Sequence, residues 1–201
     1  MILEASNFLG DQTPMQKIEQ WVNELKGNLK EPNAMTITTA SPDGQPSSRV
    51  VLAREFTRQG IIFYTNYQSA KGIEISKNPK VAGQFFWDQP QRQIRFQGDI
   101  QKISEEKSDA YWNQRHRDSQ LSQWVSKQSQ FIASREQMEQ ELQLAIDKFK
   151  DQNTIPRPQH WGGYEVVTKQ IEFWIGHPHR FHDRFIFTLS PNQWLGQRLY
   201  P

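Results

Sequence analysis

The stretch AMTITTASPDGQPSSRVVLAREFTRQGIIFYT, residues 34–65, decides the fold. It holds three strand-like runs, Ala34–Ala40, residues 48–55 and residues 61–65. The turn signals Pro42-Asp43-Gly44 and Arg58-Gln59-Gly60 separate them. Connections this short join antiparallel neighbours, so the region reads as a meander. Downstream, residues 81–87 and 91–103 give two more strands, joined near Asp88-Gln89-Pro90. The chain then turns helical. Ser104-Glu105-Glu106 opens a helix to about Arg115, with acids in the first turn to suit the macrodipole. A second helix covers about 119–129. A third starts at Ser134 with Gln137 at N3 and an apolar stripe of Met138, Leu142, Ala145, Ile146 and Phe149. Residues 163–175, 180–189 and 193–199 return to strands. Upstream, Thr13, Pro14 and Gln16 form a capping box, and Met15, Ile18, Trp21, Val22, Leu25 and Leu29 recur at helical spacing. Gly27 weakens that helix and Glu31-Pro32 stops it, which predicts a helix over about 14–30. Strands, then helices, then strands imply an α+β fold. The late strands must pair with the early ones to bury their apolar faces. An antiparallel barrel with helices packed around it satisfies this. At 201 residues the chain is expected to be a single domain, 1–201, with a helical insertion over about 104–150.

The composition is that of a globular protein with a modest apolar fraction, 35% hydrophobic, yet seven Trp. Few apolar residues with many aromatics suit a core completed by dimerising. A net charge of +2 with no basic block argues against a nucleic-acid surface. The absence of cysteine excludes disulfides, thiol nucleophiles and Cys-ligated metals. The five His show no metal-ligand spacing, so no metal is expected. The N-terminus lacks a basic and apolar leader, and no run approaches a membrane span. A cytoplasmic protein is expected.

Four places carry candidate chemistry. Residues 170–184 read QIEFWIGHPHRFHDR, two strand-like runs around the turn signal Gly176-His177-Pro178. Alternation puts Glu172 and Trp174 on one face, and Arg180, His182 and Arg184 on one face of the second run. Such a cationic row suits a flat or anionic partner, or a solvated basic edge. Arg49 and Arg54 flank Val50, Val51, Leu52 and Ala53. They fall on opposite strand faces, so the strand must bend, or Arg54 must reach from its end, if both serve one site. Residues 64–71 leave a strand and enter a helix. Thr65, Ser69 and Lys71 there make a phosphate cradle or an ordinary capped helix with a solvated lysine. Tyr111 and Arg115 stand at i,i+4 with Ser119 beyond, a second anion grip or a plain surface helix. No Gly-x-Gly-x-x-Gly, Walker loop or Gly-x-Ser-x-Gly elbow occurs.

These segments, taken in order from about Glu31 to Pro201, resemble the pyridoxine/pyridoxamine 5′-phosphate oxidase family. Trp124-Val125-Ser126-Lys127-Gln128-Ser129 and His179-Arg180-Phe181-His182-Asp183-Arg184 are the most specific motifs. The resemblance implies an FMN-binding split β-barrel, a homodimer with FMN at the subunit interface. It implies that Arg49 and Lys71 hold the FMN phosphate near Tyr64, Thr65 and Ser69. Val50, Val51 and Leu52 would line the flavin with backbone groups. Gln93, Gln128, Ser129, Trp174 and Arg184 would complete the flavin site, some from the partner subunit. Arg54, Tyr111, Arg115 and Ser119 would grip the substrate phosphate. Arg180 and His182 would sit against the pyridine ring as the catalytic pair.

The implied reaction is hydride transfer from substrate C4′ to flavin N5, giving pyridoxal 5′-phosphate, with dioxygen reduced to hydrogen peroxide. No general base is evident; Arg180 or His182 could polarise or deprotonate. Three departures stand out. The usual Ser-Arg-Lys is Ser69-Ala70-Lys71 here, which predicts weaker FMN binding. Arg54 stands where Lys is usual, and the family carries more chain ahead of the first helix. The alternatives are a related flavin oxidase on another ring, as in a phenazine pathway, or a non-catalytic flavin or pyridoxal-phosphate binder.

Overall fold

The computed structural model describes residues 5–191 and 193–201. Residues 1–4, read above for a leader, lie outside them. Among the described residues, nine strands form one antiparallel sheet: β1 (Ala34–Ala40), β2 (Pro46–Leu52), β3 (Glu55–Phe56), β4 (Gly60–Asn66), β5 (Lys80–Trp87), β6 (Arg92–Lys102), β7 (Trp161–Ile175), β8 (Asp183–Ser190) and β9 (Gln193–Leu199). The main path runs β2-β1-β5-β6-β7-β4-β3, with β8 on β7 and β9 on β8. The two ends of that path, β2 and β3, are consecutive in the chain. Only Ala53-Arg54 separates them, so the sheet curls back on itself. This is the α+β antiparallel barrel that the sequence pattern predicts, in the split form that the family resemblance implies.

The expected strand over 48–55 is therefore two strands. At the break, the Ala53 N–H donates to Asn33 O at 2.9 Å and the Arg54 N–H to Ile62 O at 2.8 Å. The bend is the one needed for Arg49 and Arg54 to face the same space.

The 15-residue β7 is the spine. Its first part pairs with β4 and its last part with β8, while β6 runs along both. The β6–β7 register shifts between Gln97 and Gly98, leaving Lys169 as an extra residue. The inward set changes parity there. Tyr164, Val166 and Thr168 are buried before it, and Ile171 and Phe173 after it. A bulge does this by adding one residue to a period of two. Gly98 faces the bulge, where a Cβ would meet the Val167 carbonyl oxygen at 2.0 Å.

Inside the barrel, Ile37, Phe63, Phe85, Ile94, Phe173 and Phe185 are fully buried. Each such Phe contributes about 2 kcal/mol of transfer free energy. Strand β4 is buried on both faces. Its outer face meets a second cluster of Trp112, Leu121, Ala145, Phe149, Ile155 and Trp161. That cluster belongs mainly to α4 (Glu105–Asn113), α5 (Arg117–Val125) and α6 (Arg135–Phe149). Ser104 and Ser134 cap α4 and α6 as expected. In α6 the Gln137 side chain reaches back to the Ala133 N–H, one residue before the cap.

Helix α2 (Pro14–Glu24) opens with the predicted reciprocal box. Gln16 N–H donates to Thr13 Oγ1 at 3.3 Å, and Thr13 N–H to Gln16 Oε1 at 2.8 Å. The helix ends at Glu24, short of the predicted 30. Gly27 adopts φ +88°, a left-handed conformation that closes the segment into turns. Helix α1 (Ala5–Leu9) is not anticipated from the pattern. Tertiary packing holds it: the Phe8 ring stacks on Phe185 at 4.5 Å. Helix α3 (Ala70–Lys77) is as expected. The predicted strand over 180–189 begins only at Asp183. Before it, Pro178–Arg180 form a 3₁₀ turn, and His179 and Arg180 adopt φ 59° and 63°. Arg180, His182 and Arg184 therefore do not share one strand face.

Candidate active site

One cavity of about 490 Å³ opens where β2, β4, α3, α4 and the loop after α5 converge. Its lining gathers most of the predicted residues: Arg49, Val50, Val51, Leu52, Arg54, Tyr64, Thr65, Lys71, Tyr111, Arg115, Gln128 and Ser129. Ala70, Gln123 and Trp161 complete it. Four cations face this space, and no carboxylate is among the lining residues.

The first grip is built at the N-terminus of α3. Ser69 caps the helix, donating from Oγ to Asn66 O at 2.7 Å and accepting from Gly72 N–H at 3.4 Å. Lys71 Nζ donates to Thr65 Oγ1 and Ser69 Oγ, both at 3.2 Å, and to Gln128 Oε1 at 2.9 Å. All three acceptors are uncharged, and Lys71 is only 6% exposed. Burial pulls its ammonium down to about 8, the neighbouring Arg49 adds to this, and Glu74 opposes it. Ser69 is thus not a lining residue but lies directly against Lys71. Gln128 is held because Asn66 Nδ2 donates to Ser126 O at 3.1 Å, and Ser129 follows at φ 73°.

Arg49 comes from β2. Its guanidinium donates to Thr39 Oγ1 and Ser47 Oγ, each at 2.5 Å, and lies 3.5 Å from Glu74 Oε2. Partial burial works against the Glu74 carboxylate. The Thr39 and Ser47 hydroxyls and the Arg49 charge outweigh it, so its pKa is lowered. Sequence reasoning missed Glu74, though its i,i+3 spacing from Lys71 on one short helix was a usable signal. Among the described residues, β2 pairs only with β1, which leaves the backbone amide and carbonyl groups of its other edge outside the ladder. Val50 on that strand is 66% exposed.

The second grip is aromatic and cationic. Tyr64 stacks on Tyr111 at 3.8 Å and on Trp161 at 5.4 Å. Arg115 lies 5.0 Å over the Trp161 ring. Its Nε is buried and has no hydrogen-bond partner among the described residues. Burial lowers the Arg115 pKa; Tyr111 opposes this, and Arg54 adds to it. Burial, with Glu55 and Tyr111 adding to it, pushes the Tyr64 hydroxyl up to about 12. Ser119, predicted here, sits in α5 one turn before Gln123 and is not itself among the lining residues. Trp161 and Gln123 were not predicted as site residues.

The remaining predicted residues form a separate group across β6, β7 and β8. Gln93 pairs with Trp174, and Trp174 with Arg184. Arg184 Nε donates to Glu172 Oε1 at 2.9 Å, and its Nη1 to Tyr200 O at 3.1 Å. The His182 ring lies 4.7 Å from Trp174. Arg180 is exposed in the 3₁₀ turn. None of these lines the 490 Å³ cavity within the one chain.

Among the described residues, no helix is long and apolar enough to cross a membrane. Two family profiles cover nearly all of this architecture. Residues 22–153 match the pyridoxamine 5′-phosphate oxidase profile. Residues 161–201 match the pyridoxine 5′-phosphate oxidase C-terminal dimerisation region. The chain is 47% identical to the pyridoxine/pyridoxamine 5′-phosphate oxidase of Trichormus variabilis, over 95% of this chain and 90% of the relative. It is 46% identical to that of Gloeothece citriformis, over 94% and 88%. Among solved structures it is similar to PhzG of Burkholderia lata, crystallised with tetrahydrophenazine-1-carboxylic acid. That likeness has TM-score 0.90 and 25% identity, over 100% of this chain and 98% of the other. On the profile matches and the near-full-length identity, this chain belongs to the pyridoxine/pyridoxamine 5′-phosphate oxidase family.

Proposed function

We propose that this protein oxidises pyridoxine 5′-phosphate and pyridoxamine 5′-phosphate to pyridoxal 5′-phosphate, using FMN and dioxygen and releasing hydrogen peroxide. One observation carries the reading: a single cavity holds two cationic grips and no lining carboxylate. Coenzyme and substrate each bring a phosphate, and each needs such a grip. The residues fit FMN. Among the described residues, Lys71 is a buried ammonium whose hydrogen-bond partners are all neutral, and Arg115 Nε is a buried donor without one. Both are uncompensated until an anion arrives.

Lys71, Arg49, Thr65 and Ser69 hold the FMN phosphate, with the α3 N-terminus adding its partial charge. The free edge of β2 at Val50, Val51 and Leu52, with Gln128 and Ser129, takes the flavin's polar rim. When bound, the flavin supplies the hydride acceptor and the route to dioxygen. Arg115, Arg54 and Tyr111 hold the substrate phosphate, and Ser119 serves the same end from α5. The Tyr64–Tyr111–Trp161 stack stiffens that wall and excludes water. Gln93, Trp174 and Arg184, with the catalytic pair Arg180 and His182, reach the same site in a homodimer. Residues 1–201 act as one FMN-binding split-barrel domain.

A second reading, oxidation of a larger fused ring, draws on the 0.90 TM-score to PhzG. The higher identity to the B6-phosphate enzymes favours the first. An absorption spectrum of the purified protein with FMN added, then anaerobic addition of pyridoxine 5′-phosphate, tests it. Bleaching, with peroxide on readmitting air, is the expected outcome. A bound flavin that stays oxidised would overturn the assignment.

A further inference from the structure

We propose that His182 is held as the tautomer with its proton on Nε2, so that it meets a ligand as a hydrogen-bond donor rather than a proton acceptor. The backbone N–H of His177 donates to His182 Nδ1 at 3.1 Å. A backbone amide can only donate, so Nδ1 must present its lone pair. A neutral imidazole has one ring proton, which then resides on Nε2.

The contact is braced rather than incidental. The His177 ring nitrogen Nε2 lies 2.7 Å from Asp183 Oδ2. The other Asp183 oxygen accepts from Arg198. Asp183 opens β8 and pairs with Ile175 at the end of β7, so both ends of the 176–182 loop are tied at one neck. Within the loop, His179 and Arg180 hold left-handed backbone at φ 59° and 63°. Two consecutive non-glycine residues of this kind persist only where surrounding contacts over-determine them. The Trp174 ring, 4.7 Å away, limits the remaining freedom of the His182 ring. Asp183 and His177 are thus positioning residues, and the His177 amide sets the protonation pattern.

The placement of His182 against a B6 ring rests on the function proposed above; the tautomer does not. It removes His182 as the proton-accepting group and leaves it to bind an electron-rich atom of the ligand.

Two-bond ¹H–¹⁵N correlation of the full chain labelled in histidine, with FMN added, reads the tautomer without substrate. Nδ1 should appear unprotonated and Nε2 protonated from neutral to mildly alkaline pH. A proton on Nδ1, or averaging over both nitrogens, would overturn the proposal. Asp183→Asn should bring on that averaging; a ring unchanged in this variant would refute the brace. In turnover, His182→Gln keeps an N–H donor and should stay within ~10-fold of the native kcat, while His182→Ala falls by ~100-fold. Equal losses would refute the donor role. If the protein binds FMN but does not oxidise B6 phosphates, the activity fails and the spectroscopic result still decides the tautomer.

Discussion

The Lys71 grip and the 176–184 loop hold charge in opposite ways. Around Lys71, the frame is regular structure: a strand end at Thr65, a helix cap at Ser69, and an amide, Gln128, tied to β4. The cation is buried, and Thr65, Ser69 and Lys71 sit in regular strand, cap and helix backbone, with the left-handed Ser129 beside Gln128. In the loop, Arg180 is exposed and two residues are left-handed. Order there comes from side chains at the neck. The difference is one of purpose. A buried ammonium is tolerable only where rigid neighbours supply every hydrogen bond. On the proposed function, a group that meets the substrate ring is aimed instead by a short strained loop.

The contrast is open to breaking at each end. Arg49→Ala should weaken FMN binding by ~100-fold, the scale of a lost charge-assisted contact plus an exposed Glu74. Loss of yellow colour on gel filtration checks this, and retained colour would separate Arg49 from the coenzyme. Arg180→Ala should lower turnover by roughly 10- to 100-fold while changing the FMN dissociation constant by less than about threefold. Comparable losses in both would mean that the loop also builds the coenzyme site.

Lys71 adds a pH signature. Its pKa of about 8 means the cation is lost as pH rises through that value. FMN affinity should then fall, by up to ~10-fold per pH unit. Lys71→Arg, always charged, should flatten the curve. Stability without flavin runs the other way. The ordinary lysine value of 10.5 lies above the folded one, so the unfolded chain binds more protons between about 8 and 10.5. This group's cost to the fold is full below 8 and is relieved as pH rises through that window. The smallest effect is expected from Ala70→Arg. Ala70 lines the cavity beside Lys71, and a second guanidinium there should tighten FMN by roughly fivefold.

Much of this was legible in the residues. The early strands were readable because Pro42-Asp43-Gly44 and Arg58-Gln59-Gly60 fix turns locally. Thr13, Ser69, Ser104 and Ser134 announced their helices through cap chemistry that needs no tertiary context. Tertiary effects were not legible. Leu25 and Leu29 continue the helical period that Gly27 interrupts. Helix α1 depends on Phe8 stacking on Phe185, a contact far away in sequence. Alternation across 180–184 looked like a strand because the 3₁₀ turn leaves no mark on a period-two pattern. That Tyr111 and Arg115 meet was legible in their i,i+4 spacing, but Trp161 joined them only through packing.

Lys169 has a consequence out of proportion to its exposed position. It is the residue by which β7 changes hands, from one that lays Tyr164, Val166 and Thr168 inward to one that turns Glu172 and Trp174 outward. Deleting it would let Thr168, Gln170 and Ile171 alternate without interruption, so Ile171 and Phe173 would still point inward, while the local bend and twist that aim the distal half of the strand would be lost and the end paired with β4 would keep its register. A lesion of one codon would thus keep each face of β7 on its own side yet re-aim the Trp174 end of the strand relative to the Lys71 end.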